Sequence, residues 1–354
     1  MWKTACYSTL LLSQAKSLVI KQSPRVSHLS RPIVRSVPES SNNNNNKYTY
    51  SSTRLLSSSS SSSSSSTTDD VWKETAQVYS DQASRLTQLH GSDLITILRN
   101  DIMNAKTILD VGAGAGAFAH AYLQHFPTGI PGQTLILSDL SEGMLEQAKK
   151  TLKIPSDYQT KIIFQIEDGT RLEGIETDSM DMVVSTFGVF LIPDQEATLA
   201  SIQRVMKPEA VFGNASWIWE GSSKLASMGF GVTLQEAFTK PVDTINPSHS
   251  EEAIGPLKKW SDADEVERML TADYKFDSVK MYRALHSTVW EYDNLWGMIE
   301  NNPMTNMKDL SPEDEERAKS AFQKFVTQDG AYSTDEPLMI SSASNLAVAR
   351  GLPA

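Results

Sequence analysis

The stretch Thr107–Ala119, T-I-L-D-V-G-A-G-A-G-A-F-A, constrains this chain more than any other. Thr107 to Val111 is a short apolar run with one acid, as expected of a strand buried on both faces. Gly112, Gly114 and Gly116 follow at alternate positions, and Ala115–His125 reads as a helix. Strand, glycine-rich turn and helix together bring backbone N–H groups close to a ligand at a helix N-terminus. Glycine serves there because a Cβ would block the ligand and because it tolerates positive φ. The spacing fits the dinucleotide fingerprint G-x-G-x-x-G/A, with Ala117 in the last place. It fits equally a loop of the form acid-x-Gly-x-Gly-x-Gly, led by Asp110. A turn that only lets strand and helix pack is the third reading.

Charge is spread unevenly. Eight of the 32 Lys and Arg and one of the 43 Asp and Glu precede residue 69, which leaves 24 basic and 42 acidic side chains, a net charge of −18, on the rest. A body that acidic repels phosphate backbones, so nucleic acid is not an expected partner. No apolar run reaches the roughly 18 residues of a transmembrane helix. Met1–Pro38 holds Lys3, Lys16, Lys21, Arg25, Arg31 and Arg35, many serines and no acid. That is the composition of an organelle transit peptide, mitochondrial by expectation, with a plastid as the alternative. Asn42–Asn46 and the ten serines Ser57–Ser66 cannot bury enough apolar surface to offset ordering entropy and read as a disordered linker. The single cysteine, Cys6, falls in this leader, so no disulfide, Cys-ligated zinc or cysteine nucleophile is expected in the mature chain. The expected division is 1–68, leader and linker, then one domain over 69–354, with a cofactor half at 69–219 and a substrate-side insert and last strands at 220–354.

Along the body, Val71–Leu86 and Ser92–Asn104 read as two helices. Strands follow at Gln133–Ser138, Lys161–Ile166, Met180–Thr186 and Val211–Trp219, with helices after Ser141 and at Gln195–Met206. Strands alternating with helices of ten to twelve residues predict a parallel sheet covered on both faces. After Trp219 the rhythm breaks. Gly221–Gly255 reads as an irregular helical insert, followed by a helix at Ser261–Thr271, a long strand at Lys275–Val289, helices at Tyr292–Asn301 and Pro312–Thr327, and a last strand near Leu338–Arg350.

Three pieces in order resemble the class I S-adenosylmethionine (SAM)-dependent methyltransferases, in particular the broad group acting on small molecules. They are Ile108–Gly116, Leu137-Ser138-Asp139-Leu140-Ser141-Glu142-Gly143-Met144-Leu145, and Arg204-Val205-Met206-Lys207-Pro208. The resemblance covers Asp69–Trp219 well and the rest only in order of elements. It departs at Glu209-Ala210, where the family has Gly-Gly, so a turn without glycine is expected there. The resemblance implies a Rossmann-like α/β fold: a mostly parallel sheet of seven strands, helices on both faces, and a helical insert in the C-terminal half. It implies SAM as cofactor, bound by Asp110, Gly112, Ala113, Gly114, Gly116, Asp139, Leu140, Met144, Asp168, Gly169, Thr170, Thr186 and Phe187. Asp139, at the end of the second strand, suits the ribose diol; Asp168 suits the adenine amino group; Asp110 suits the ammonium end. An acid at the place of Asp139 also serves dinucleotide folds, whereas one at the place of Asp168 does not. Helix-cap and turn roles are the plain alternatives for both acids.

Methyl transfer from a sulfonium is an in-line displacement, so holding the acceptor near the methyl carbon and excluding water is the main task. Catalytic residues are left open. His286 is the candidate base, and no arrangement of acids marks a metal site. Phe190, Trp290 and Trp296 are candidates for the acceptor pocket, with Met298 and the 221–255 insert beside them; covering one sheet edge is the alternative. Arg204–Pro208 and Phe187-Gly188 also resemble the quinone-ring C-methylating subgroup, although its late aromatic and tail residues are not recognisable. Two other functions stay open: an NAD(P)-dependent oxidoreductase, and a SAM-binding assembly or regulatory protein without turnover. The acceptor, and whether O-, N- or C-methylation occurs, are left open, as is the oligomeric state.

Overall fold

A computed structural model describes residues 20–21, 72, 76–77, 79–80, 83–219, 232–245, 257–302, 305, 307, 310–328 and 330–352. At its centre lies β2 (Thr107–Val111), flanked on one side by β3 (Thr134–Asp139) and β4 (Lys161–Ile166), and on the other by β5 (Met180–Thr186) and β6 (Met206–Trp217), all parallel. Beyond β6 the sheet turns antiparallel through β9 (Leu338–Arg350) and β8 (Ser278–Trp290). Two short strands complete it: β1 (Ile20–Lys21) beside β8, and β7 (Val232–Thr233) beside β9. The order is thus β1-β8-β9-β6-β5-β2-β3-β4. Seven full-length strands form it, as the sequence predicts. The chain goes one way from β2 to β3 and β4, then crosses to β5 and β6, so the β2/β5 boundary is a topological switch point, where crevice ligands bind at the strands' carboxyl ends.

Burial explains why the central strands read as continuous apolar runs. Ile108, Leu109, Val111, Met182, Val183 and Val184 are fully buried, and each such side chain contributes about 1.5–3 kcal/mol. The faces are covered by helices with identifiable starts. α3 (Ala117–His125) begins after Gly116, which is left-handed at φ 84°, two residues later than the sequence predicts. α4 (Glu142–Thr151) is capped by Ser141, whose Oγ accepts from Met144 N at 3.3 Å. α5 (Gln195–Val205) is capped by Asp194, which accepts from Ala197 N at 2.9 Å.

Several predicted boundaries are corrected. α1 runs unbroken over Ser84–Ile97, and α2 (Arg99–Asn104) follows after Leu98, where the sequence predicts a gap at 87–91 and a single helix over 92–104. Gly91, in that expected gap, lies inside α1. A Cβ there would meet Ala117 O at 3.5 Å and Phe118 Cα at 3.7 Å, so this glycine lets α1 pack on α3. Trp72, Ala76, Gln77, Tyr79 and Ser80 are helical. At Glu209-Ala210 there is no turn. β6 carries straight through, and its register slips between the pairs Met180↔Met206 and Met182↔Val211, so that residues 207–210 oppose Asp181 alone. Lys207 Nζ donates to Asp181 Oδ1 across this bulge at 2.6 Å.

Part of the 221–255 insert lies outside the described residues. The described part is β7 and α6 (Leu234–Asp243). The predicted helix at 261–271 is α7 (Ala263–Arg268), closed by one π turn, Met269–Asp273. α8 (Tyr292–Glu300) and α9 (Pro312–Val326) close a second, smaller core around Leu295, Ile299, Ala318, Phe322 and Val326. Arg350, at the end of β9, donates in a bidentate pair to Asp101 of α2 at 2.9 Å each.

The segment read as leader meets the folded body at β1, through the pairs Ile20↔Arg283 and Lys21↔Tyr282. Two residues at a sheet edge add little to a sheet of this size. A chain beginning at Asp69 is expected to melt within about 2 °C of the full chain, since roughly 1 kcal/mol moves Tm by about 2–4 °C at this size. A drop of several degrees in a thermal melt would show that the segment packs on the body.

Candidate active site

The three glycines of the loop do different work. Gly112, at φ 66°, sits so close to Gly188 that a Cβ would lie 2.9 Å from Gly188 Cα. Gly114, at φ 54°, borders a cleft of about 1170 Å³, counting space open to solvent. Gly116 faces away from it: its Cβ would meet Ala148 Cβ at 3.3 Å, so it packs the loop on α4. Ala113, Ala115 and Ala117 line the cleft at the start of α3, where the helix dipole favours an anion.

Asp139 lies across the cleft mouth. Its Oδ2 accepts from Gly114 N at 2.8 Å and its Oδ1 from Ser141 N at 2.9 Å. A carboxylate oxygen accepts more than one hydrogen bond, so both oxygens can also take hydroxyl donors while the backbone holds the carboxylate in place. Leu140 and Met144 border the same end of the cleft, Leu140 being 48% exposed. Asp168 and Gly169 line the next wall. Asp168 Oδ1 accepts from Thr170 N at 2.9 Å and Thr170 Oγ1 at 2.6 Å, and Oδ2 from Arg171 Nε at 3.2 Å. Burial pushes this carboxyl up, but the Thr170 and Arg171 donors together outweigh it and hold the pKa below the usual value. Thr170 therefore positions Asp168 and does not itself face the cleft.

Asp110 departs from expectation. It is 1% exposed, lies beneath the loop and is absent from the cleft wall. Neither carboxylate oxygen has a hydrogen-bond partner among the described residues. Burial, and then the nearby charge of Asp139, raise its pKa well above the carboxylate range. An orphaned buried carboxyl beside a ligand loop is what an ammonium group would satisfy, so the site fits SAM at this end as well.

Thr186 and Phe187 close the far side. Phe187 has φ 63°, rare for a bulky residue. Its N–H donates to Ala215 O at 3.0 Å, and its ring stacks on Trp217 with centroids 3.7 Å apart. That ring also bounds a second pocket of about 650 Å³, again counting open space, which shares Trp72, Tyr79, Thr87 and Leu191 with the cleft. Phe190 lines this pocket, as the sequence suggests, and so does Met298. Trp290 and Trp296 do not. Both are buried in the smaller core, Trp290 donating to Thr288 Oγ1 at 2.7 Å and Trp296 packing on Phe322 with centroids 5.2 Å apart. Of the aromatic side chains that do line it, Trp72, Tyr79, Trp217, Trp219 and Phe238 were missed. The one available signal was Trp217-x-Trp219 at the carboxyl end of a strand, where alternate residues share a face.

His286 does not reach either pocket wall. It is buried behind them, with Nε2 2.6 Å from Asp93 Oδ2. With His90 it forms a cluster whose ligand-type atoms lie within 4.8 Å of one another. Both ring nitrogens of His90 are already engaged, by Ser342 Oγ at 3.0 Å and Ser344 Oγ at 2.8 Å. Burial first, and the neighbouring His286, depress the His90 pKa well below its ordinary value, so the ring is neutral near pH 7. The cluster reads as a buried hydrogen-bonded network joining α1 to β8 and β9.

The chain also resembles known proteins in sequence. The family described as "Methyltransferase domain" matches residues 108–209. The chain is 32% identical over 105 residues to the ubiquinone/menaquinone biosynthesis C-methyltransferase UbiE of Rickettsia peacockii, covering 30% of this chain and 42% of that protein. It is 28% identical over 101 residues to the PKS-NRPS hybrid synthetase cheA of Chaetomium globosum, covering 28% of this chain and 2% of that one. The chain thus spans less than half the length of these relatives. Among solved structures, the YcgJ protein of Bacillus subtilis superposes with a TM-score of 0.46 at 14% identity, over 75% of this chain and 100% of that one. Residues 108–209 form a class I SAM-dependent methyltransferase domain, and the glycine loop and Asp139 lie within the matched stretch.

Asp110 yields a pH prediction. A carboxyl whose pKa rises on folding stabilises the native state at pH below its unfolded value, and that stability is lost as pH rises above it. Asp110→Asn is therefore expected to raise the Tm of the ligand-free protein by a few degrees at pH 7, with the gain shrinking toward pH 4, while weakening S-adenosylhomocysteine. Melting curves across that range check it; a Tm difference independent of pH would show that the carboxyl is not held neutral.

Proposed function

We propose that this chain transfers the methyl group of SAM to a small organic acceptor within an organelle. The observation that carries the reading is one cleft in which the glycine loop, a backbone-held Asp139 and Asp168 meet, opening past Phe187 into an aromatic pocket. When bound, SAM supplies an electrophilic methyl carbon: the acceptor atom bonds to it as the carbon–sulfur bond breaks, the electron pair stays on sulfur, and the acceptor gives up a proton. Asp139 would hold the ribose hydroxyls, Asp168 the adenine amino group, the start of α3 the carboxylate, and Asp110 the ammonium. Phe187 and Leu191 keep water from the shared wall between cleft and pocket. No histidine lines the cleft among the described residues, which favours catalysis by positioning and exclusion of water.

The acid-free, basic, serine-rich segment 1–38 supports mitochondrial import. A fluorescent protein fused after residue 68 is expected to co-localise with a mitochondrial dye; cytosolic or plastid signal would overturn this part.

The cofactor is tested at Asp139. Charge-assisted hydrogen bonds are worth roughly 1.5–3 kcal/mol each, and roughly 1.4 kcal/mol is tenfold in affinity. Asp139→Ala is expected to weaken S-adenosylhomocysteine about ten- to a few hundred-fold. Wild type at about 100 times its Kd should gain roughly 2.7 kcal/mol of stability, and the variant at the same concentration clearly less. Calorimetry with S-adenosylhomocysteine and NAD decides: equal binding by wild type and variant, or binding of NAD in place of S-adenosylhomocysteine, sinks the reading.

A further inference from the structure

The second pocket is specific in what it offers. Its described lining carries no charged side chain and is mainly aromatic, with Phe187, Phe190, Trp217, Trp219 and Phe238 joining Trp72 and Tyr79. An acceptor bearing a carboxylate or phosphate would give up hydration there with no counter-charge. Flat rings gain most against such walls. Besides Tyr79, Thr87 and Asn302, the described lining holds two polar atoms that are buried without a partner. Gln235 is 3% exposed and its Oε1 has no hydrogen-bond partner among the described residues. Trp219 Nε1 is likewise buried without one, although the Trp219 backbone is held by Ser261 Oγ at 2.9 Å.

The Gln235 amide is fixed in sense and in place. Its Nε2 points at Ala343 O, 3.4 Å away, and turning the amide over would set two acceptors against each other. The residue sits in the first turn of α6, which Thr233 and Glu236 lock reciprocally: Glu236 N donates to Thr233 Oγ1 at 3.3 Å, and Thr233 Oγ1 to Glu236 Oε2 at 2.7 Å. β7, just before it, pairs with β9. A rigidly held buried acceptor with no donor is a standing cost unless a ligand satisfies it.

We infer that Gln235 is a specificity-determining residue for a neutral, flat aromatic acceptor carrying a hydroxyl, which donates to Gln235 Oε1 and accepts from Trp219 Nε1. A hydroxyl is the smallest group that does both. Gln235 and Trp219 border this pocket and not the cofactor cleft, so the anchored hydroxyl orients the ring and leaves another of its atoms at the Phe187 wall. The word acceptor rests on the methyltransferase reading above; the pocket's preference does not.

The test is calorimetry on the full chain with S-adenosylhomocysteine present, using 1-naphthol, its methyl ether 1-methoxynaphthalene, and 1-naphthoate as probes. Wild type is expected to bind 1-naphthol at least tenfold more tightly than either of the others, about 1.4 kcal/mol. In Gln235→Leu the advantage over the ether should fall to within about threefold, with binding of the ether unchanged. Equal binding of naphthol and ether by wild type, tightest binding of naphthoate, no binding of any probe, or a preference that survives in Gln235→Leu overturns the inference. The wild-type comparison stands even if the variant fails to fold. Titrating S-adenosylhomocysteine first separates the two questions: its failure to bind removes the methyltransferase reading, while the probe titration still reports on the pocket.

Discussion

Two backbone turns meet at the sheet's switch point, and the active site follows from their contact. One is the glycine loop after β2, the other the turn after β5. Gly188 packs so tightly that a Cβ on it would lie 2.7 Å from Val111 O and 2.8 Å from Gly112 O. Neither Gly112 nor Gly188 leaves room for a side chain. The approach fixes where the loop's backbone lies relative to β5, and Ser185 Oγ reinforces it by donating to Val111 O at 2.8 Å and accepting from Val189 N at 3.0 Å. Phe187, caught next to Gly188, takes up a left-handed backbone at a cost of order 1–3 kcal/mol. Its stack on Trp217 and its hydrogen bond to Ala215 hold it there.

Much of this was legible in the sequence. The central strands are mostly apolar because both faces are covered, and the Asp139 and Asp168 motifs lie at strand ends, where a parallel sheet puts its crevice. The helices of the N-terminal region were harder. The local sequence puts residues 87–91 between two helices, but Gly91 makes a close approach to α3 that depends on a partner distant in the chain. Asp110 shows a similar limit: the motif reveals an acid but not that the loop covers it. Trp290 and Trp296 are aromatic residues near a substrate-side insert, and nothing local says that the smaller core buries both. Trp217 and Trp219 carried the weaker pattern and line the pocket.

β9 is a further case. Ser341, Ser342, Ser344 and Asn345 are buried in a strand that runs between β6 and β8. A run so polar reads poorly as an interior strand. It is tolerated because most of its groups have partners: Ser342 and Ser344 engage His90, Ser341 pairs with Ser287, and Asn345 Nδ2 donates to Trp260 O and Ser261 O at 3.0 and 2.7 Å. The buried histidines thus belong to the architecture that carries Trp217, whose ring lies edge-on to His90 at 5.2 Å.

Phe187 is a wall of the cofactor cleft and of the aromatic pocket at once. A molecule seated on either side restricts the same ring, so the two occupancies are linked energetically. Such linkage is reciprocal: the factor by which the first arrival changes the second's affinity equals the factor in the opposite sequence. Whichever partner settles the ring bears the cost of ordering it, and the other enters a wall already set. A single shared side chain thus makes the two affinities one coupled quantity, whichever molecule arrives first.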